Sequence, residues 1–448
     1  MKHPRFISAL LTALLAIGLV GFWTFEPAQS VHAQDSAASS KKKSKKKSSK
    51  KSKKSSAKSG KKGGKRSHYK AHTPKDMKGM WLSQFDLNVV YCAGGNQRGE
   101  EDYRNRIKQV LQNVKSMGIN TLFVQVRPNG DSMYPSEVYP MSYYVVGQYG
   151  RDASYDPFAI LLKEAKAMKF SVHAWFNPLR LMTPGQIGQV PDKYRIKQWF
   201  NDPDKRGKWV VQWDRFWYLN PAYEETRQLI YDGIAEILQK YDVDGVHMDD
   251  YFYPTTDGGF DAAAYEAYKA AGGNLNLGDF RREQLNKLVH GIYETTKKTN
   301  PTAMYGISPA GNLNNVRNSH FVDIDKWCRE EGFMDYVCPQ VYWGFTHRIC
   351  PFEPTCHKWQ DLIQTPKVKL YIGMTLGNCM GAGGEWASRD VIERCLKCTQ
   401  TLDKCHGIVF FCYQYCFDPG SGAEKGETAQ ERSKFVPYLK QMKWKPKK

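Results

Sequence analysis

One rhythm constrains this chain more than any other feature. From residue 78 to residue 413, a short run rich in β-branched and aromatic residues, then a loop, then a helical stretch follow one another eight times. The runs occupy residues 80–86, 121–127, 171–178, 244–253, 303–308, 335–343, 369–375 and 407–413. Between them, apolar residues recur at helical spacing. Ile107, Val110, Leu111 and Val114 share one face of a helix expected over residues 102–117. Asp156-Pro157 and Asn220-Pro221 each join a capping side chain to a first-turn proline, opening helices over 158–168 and around Leu229, Ile230, Ile234, Ile237 and Leu238. A fourth helix, over 280–296, carries Leu285, Leu288, Val289 and Ile292. Eight strand–helix units without an internal linker predict an α/β fold, a (β/α)8 TIM barrel with long βα loops. A doubly wound open sheet is the structural runner-up. It wants a Gly-rich phosphate turn after the first strand, and Gln84-Phe85-Asp86 is not one.

The charge of the 448 residues is unevenly placed. Lys and Arg number 65 against 45 Asp and Glu, a net +20, yet residues 41–66 alone hold 14 Lys and one Arg with no acid. The last eight residues add four more Lys, so basic tails flank a nearly neutral body. That argues against a nucleic-acid-binding body, whose basic charge lies on the folded face. Residues 41–66 contain nothing apolar except one Ala and are expected to be disordered, either as a spacer or as a contact to a polyanion at the cell envelope. Lys2 and Arg5, an apolar run over residues 6–23 and Val31-His32-Ala33 read as an export signal cut after Ala33. An uncleaved anchor is the other reading, since 18 residues just suffice to span a bilayer. The expected layout is a signal over 1–33, a Lys/Ser-rich linker over 34–75, a catalytic barrel over 76–440 and a basic tail over 441–448.

Eleven cysteines lie in the body, ten of them between Cys328 and Cys416. In an exported chain these predict late disulfides, with Cys350 and Cys356 a candidate pair. Cys395, Cys398 and Cys405 offer three ligands for a structural zinc, although the spacing is not that of a finger.

A barrel places its active site at the C-terminal ends of its strands, and four of these ends are unusually polar and aromatic. Alternation groups Gln125 with Arg127, His173 with Trp175 and Asn177, His247 with Asp249 and Tyr251, and Gln340 with Tyr342. Aromatic platforms beside amides, an arginine and carboxylates suit a sugar, whose ring has an apolar face and a rim of hydroxyls. Glycoside cleavage further needs one carboxylate for an oxocarbenium-like transition state and a second acid for the leaving oxygen. Asp249 and Asp250 are the source of the first. Asp131, in the loop after the second run, is the candidate acid/base, with Asp86 and Glu385 not excluded. Gln125, Arg127, Trp175, Asn177, Arg180, His247, Tyr251, Asn312, Gln340, Tyr342 and Trp343 are expected to hold the sugar. Bland roles stand beside these: His173 and His247 satisfying one another inside the barrel, Trp175 and Trp343 as core, Asp244 as a turn residue, Arg127 as the partner of an Asp. A metal site on His173, His247 and Asp249, implying a metal-dependent polysaccharide deacetylase, lacks any close His pair. No cofactor and no stable protein partner are expected.

At these residues the chain resembles the bacterial glycosyl-hydrolase-like family 10, secreted barrel proteins that include an enzyme acting on peptidoglycan glycan strands stripped of their peptides. The resemblance runs from Gly79-Met80-Trp81 to about Tyr413. It rests on "FVQVRPNGDSMYPS", "HAWFNPLR", "LNPAYEETR", "YDVDGVHMDDYFYP", "FRREQLNKLV", "ISPAGN", "MDYVCPQVYWGF" and "LYIGM", in that order. It implies a (β/α)8 fold, hydrolysis of a glycan and the Asp249-Asp250 pair at the site. The chain departs from the family at Glu164-Ala165-Lys166-Ala167-Met168-Lys169, where a His and an Arg-Gly are usual, and in its late cysteines. "DGVHMDDYFYP" is also similar to a chitinase-type strand, but Tyr251 stands where those enzymes carry their catalytic Glu, so their substrate-assisted mechanism does not carry over. The resulting reading is an exported glycoside hydrolase acting on a cell-wall glycan, peptidoglycan strands foremost. A non-catalytic glycan-binding barrel and a wall-anchoring protein using its Lys-rich tail are the alternatives.

Overall fold

The computed structural model describes residues 69–249, 252–381 and 383–447. The expected export signal, the Lys-rich residues 41–66, Asp250 and Tyr251 lie outside these. Eight parallel strands close into a barrel. They are β1 (Met77–Leu82), β2 (Thr121–Arg127), β3 (Ser171–Phe176), β4 (Gly245–Met248), β5 (Met304–Ile307), β6 (Tyr336–Val337), β7 (Lys369–Thr375) and β8 (Cys405–Phe411). Each pairs with its neighbours in sequence, and β1 closes the ring by pairing with β8 (Met80↔Phe410) as well as β2 (Met80↔Leu122). Outside run α1 (Glu100–Ser116), α2 (Pro157–Ala167), α3 (Glu224–Lys240), α4 (Leu277–Thr299), α5 (Ile324–Arg329), α6 (Phe352–Leu362), α7 (Val391–Thr401) and α8 (Ala429–Gln441). The (β/α)8 barrel is therefore the fold, and among the described residues no helix is long and apolar enough to cross a membrane.

The local chemistry explains most element ends. Asp156 caps α2 by accepting from the Ala159 N–H, with Pro157 in the first turn. Asn220-Pro221 behaves differently. Asn220 accepts from the Ala222 N–H and its carbonyl takes the Thr226 hydroxyl, forming a turn, and α3 starts only at Glu224. Run 335–343 yields only the two strand residues of β6, because Pro339 has no N–H to offer. Past it the pairing survives as single bridges from Gln340 to Ala310 and to Gly373.

Alternation divides each strand between two cores. Leu122, Val124 and Val126 face the helices, while Trp81, Phe123, Trp175, Tyr336 and Tyr371 fill the barrel. Gly245 has no room for a side chain, since a Cβ there would lie 2.6 Å from His173 Nδ1 and 2.8 Å from the Met304 carbonyl. Its neighbour Asp244 is not the turn residue expected. It is fully buried at the barrel floor, where it accepts from the Tyr69 hydroxyl (2.8 Å) and the His72 and Val172 N–H groups (2.8 and 2.7 Å), and pairs with Lys166. In this way Asp244 ties the chain ahead of β1 to the floor. Lys166, together with Glu164 pairing with Arg104, fills the segment that departs from the family pattern.

The cysteines differ from expectation. All eleven are free thiols, Cys350 and Cys356 included, and all but Cys92 are buried. Cys395 and Cys398 lie on the buried face of α7, and Cys405 opens β8 against the core, so they pack as small apolar side chains. Burial pushes their thiols up, away from the thiolate that zinc or a nucleophile requires. Among the described residues no three His, Cys, Asp or Glu side chains converge as ligands.

Candidate active site

A one-way hydrogen-bond chain crosses the barrel interior beneath the strand ends. Trp81 Nε1 donates to His247 Nε2 at 3.1 Å, which leaves the proton of that ring on Nδ1. Nδ1 then donates to the Tyr336 hydroxyl at 3.0 Å, and Tyr336 donates to His173 Nδ1 at 3.0 Å. Burial holds His173 down at about 4 and His247 well below the imidazole range, so both rings are neutral. His247 was expected at the sugar. Its ring is instead spent on Trp81 and Tyr336, and the metal reading that needed both histidines meets rings turned onto a tyrosine.

Above this layer lie the strand ends. Asp249, 3% exposed, follows β4 directly. On β3, Trp175 pairs in register with Gln125 of β2 and His247 of β4, and Asn177 follows. Gln125 accepts from the Gln84 N–H at 2.6 Å and donates to Asn177 Oδ1 at 3.0 Å. Trp175 Nε1, Asn177 Nδ2 and, at the end of β5, Ser308 Oγ are buried and have no protein partner. Buried polar groups are nearly always satisfied. Three such groups on the strand ends flanking Asp249 are the arrangement that sugar hydroxyls would complete. Gln340 donates to the Ser308 carbonyl at 3.2 Å, and Tyr342 stacks on Phe411 with centroids 5.9 Å apart.

Other expected residues play supporting parts. Arg127 is fully buried, donates to the Asn177 carbonyl and lies over the Tyr139 ring, 4.7 Å from its centroid. It positions Asn177 from behind, and its Nε and Nη2 are buried without a protein partner. Arg180 lies over Phe216 (5.6 Å) and reaches the Pro128 carbonyl. Asn312 caps the short helix Leu313–Asn318 through the Asn314 N–H. Asp131, the expected acid, is fully buried in its loop, accepting from the Asn129 N–H (2.9 Å) and the Tyr149 hydroxyl (2.8 Å). It staples that loop and has no open face.

Burial raises the Asp131 carboxyl, and Asp86 is a second buried carboxyl raised in the same way. It lies in the short helix after β1, 2% exposed, accepting from the Ser83 N–H and hydroxyl (both 2.7 Å) and from the Gln414 N–H (2.8 Å). Burial, only partly offset by these bonds, raises its carboxyl from 3.8 to about 6. Trp81 of β1 bonds to His247 of β4 across the interior; Asp86 lies in the short helix that follows β1, and Asp249 directly follows β4. The raised value has a measurable consequence. Folding favours the protonated carboxyl, a stabilisation complete below 3.8 and lost as pH rises through about 6. Relative to Asp86→Asn, which does not titrate, the native protein should be more favoured at pH 4 than at pH 7.5 by about 2 kcal/mol. Urea unfolding of both proteins at the two pH values measures this. An unchanged difference would remove the raised carboxyl from the account.

The family model Glycosyl hydrolase-like 10 matches residues 76–382. The chain belongs to this family. Among relatives in it, the glycosyl hydrolase YngK of Bacillus subtilis (strain 168) is 33% identical over 323 residues, covering 68% of this chain and 61% of YngK. The glycosyl hydrolase DigH of Escherichia coli (strain K12) is 31% identical over 323 residues, covering 66% of this chain and 72% of DigH. The chain thus spans less than two thirds of the Bacillus relative. In fold the barrel is similar to the catalytic domain of a β-amylase from Paenibacillus polymyxa (TM-score 0.52, 10% identity, 82% of this chain and 100% of that one). It is also similar to an endo-1,4-β-mannanase from Rhizomucor miehei (TM-score 0.50, 10% identity, 83% and 96%).

Proposed function

We propose that this protein is an exported glycoside hydrolase that cleaves a cell-wall glycan, peptidoglycan strands foremost. The observation that carries this reading is the trio of unpartnered buried donors, Trp175 Nε1, Asn177 Nδ2 and Ser308 Oγ, on strand ends flanking Asp249. Family membership supports it, since the relatives named above are glycosyl hydrolases. In this reading Asp249 stabilises the oxocarbenium-like transition state or attacks the anomeric carbon, with Asp250 beside it in sequence. Asp86, protonated in part near neutral pH, donates to the leaving oxygen. The glycosidic C–O bond breaks, the leaving sugar takes a proton, and water supplies the new hydroxyl at the anomeric carbon.

Digestion of purified peptidoglycan, with and without its stem peptides, tests the reading when soluble products are weighed for the native protein and for Asp249→Asn. Native release that the variant abolishes supports it; no release by the native protein from either substrate defeats it. Export rests on the sequence of residues 1–33, and the mature chain should begin at Gln34 when the secreted protein is weighed intact. A chain starting at Met1 and held in the membrane would replace export by anchoring. The basic residues 41–66 then serve as a tether to an anionic envelope polymer.

A further inference from the structure

Beside the catalytic mouth, the loops after β6 and β7 form an open depression of about 240 Å³, lined by Trp343, Thr346, His347, Asn378, Glu385 and Trp386. The two loops are clamped together. Glu385 accepts from the Phe345 N–H at 2.9 Å and the Thr346 N–H at 3.2 Å, and Asn378 donates to the Tyr342 carbonyl at 2.8 Å. Trp343 is held in place by His347, stacked on it with centroids 5.3 Å apart and planes at 26°. His347 Nδ1 accepts from the Cys350 N–H at 3.0 Å, so its proton sits on Nε2 as a donor. The walls are thus two half-buried indoles with polar groups between them, Glu385 among them. The volume lies below the roughly 300 Å³ at which pockets for drug-sized ligands begin, which leaves room for one ring. Gly383, Gly384, Glu385 and Trp386 come after residue 382, where the family match ends, so four of the nine lining residues lie outside that match.

We infer that this cavity is a secondary glycan subsite that takes one neutral pyranose, such as an N-acetylhexosamine, next to the catalytic mouth, and discriminates against a ring bearing a carboxylate. The indole rings supply apolar platforms for the sugar face, while His347 Nε2–H, the Thr346 hydroxyl and the Asn378 amide oxygen meet its hydroxyls. Glu385 is the acid of the wall. Arg394 is 3.9 Å from the same Glu385 oxygen that accepts the Phe345 N–H, too far for a close pair, so a second carboxylate in the cavity would be repelled by Glu385. Tyr342 links the two sites, being bonded to Asn378 through its carbonyl and stacked on Phe411 at the mouth. In a glycan whose rings alternate between neutral and carboxyl-bearing, such a subsite sets the register in which the chain crosses Asp249.

This inference rests on the glycan-hydrolase reading, and its test separates the two. Binding of a neutral N-acetylglucosamine oligomer, and of the same oligomer with one carboxyl-bearing ring, is measured by calorimetry on full-length Asp249→Asn, which needs no turnover. Trp386→Ala in that background should weaken the neutral oligomer about tenfold, Trp386→Phe should restore most of the loss, and the acidic oligomer should bind about tenfold less well than the neutral one. In the active protein, Trp386→Ala should lower kcat/KM on long strands while leaving the shortest cleavable substrate unchanged. His347→Ala, on the opposite wall, repeats the test should Trp386→Ala fold poorly. Equal binding by Asp249→Asn and its Trp386→Ala and His347→Ala derivatives would overturn the subsite. Absence of cleavage by the native protein, with tryptophan-dependent binding intact, would instead overturn hydrolysis and leave the subsite standing.

Discussion

Asp249→Asn should reduce glycan cleavage by about 10³-fold or more while leaving the fold intact. The size follows from what the carboxylate is asked to do. An oxocarbenium-like transition state carries positive charge that the substrate lacks, so the full charge of Asp249 acts there and little of it in the ground state. Asparagine keeps the shape and a hydrogen bond but not the charge, in a site where burial keeps water from compensating. The loss should appear in kcat, with KM for the strand nearly unchanged, because Trp175, Asn177 and Ser308 still meet the hydroxyls. Asp86→Asn should cost about 10²-fold, the usual range for a single proton donor, and should flatten the alkaline limb near pH 6. A fall in kcat below tenfold for Asp249→Asn would move the reaction to another carboxylate.

The largest effect on stability is expected away from the chemistry, at Arg281 and Asp261. Both side chains are completely buried. Arg281 Nε and Nη2 grip the Asp261 carboxylate at 2.6 to 3.2 Å, and the remaining donors reach the Thr255 and Asp257 carbonyls at 3.3 and 2.5 Å. The guanidinium also lies between the rings of Tyr253 (5.1 Å) and Phe321 (4.8 Å). One arginine on α4 thereby fixes residues 252–261, the βα loop that leaves the catalytic strand. Asp261→Asn strands a buried cation and should lower the unfolding free energy by about 3–5 kcal/mol in urea titration. Arg281→Met combined with Asp261→Leu should cost less than Asp261→Asn alone, since no charge is then left without its partner. A single variant within about 1 kcal/mol of native would show that the loop relaxes and lets water reach the arginine.

What was legible in the sequence follows from what alternation and helical spacing encode. Strand faces read from period two place Phe123 and Trp175 inside and Val124 and Val126 outside, as the barrel has them. Those patterns say nothing about partners. Asp244 before Gly245 looks like a turn until the chain from Tyr69 to His72 arrives from outside the repeat to meet it. Asp131 and Asp86 are equivalent in the sequence, each a short way past a strand. Burial raises both carboxyls, Asp86 to about 6, and only their hydrogen-bond partners, Asn129 and Tyr149 against Ser83 and Gln414, tell them apart. His173 and His247 were readable as either ligands or mutual partners, and the deciding element is Tyr336, 89 residues beyond His247, which bridges them. Gln84 and Ser308 gave no signal at all. Their importance lies in atoms left unsatisfied or bonded across strands, which exists only once the barrel has closed.

The central claim is that the barrel mouth around Asp249 breaks glycosidic bonds with water. Its most direct test is digestion of peptide-free glycan strands in ¹⁸O-water, with the products weighed. Shorter chains, each carrying one ¹⁸O at a new reducing end, are expected from the native protein and none from Asp249→Asn. Release of acetate with the strands left at full length, or shortened chains without the label, would contradict it.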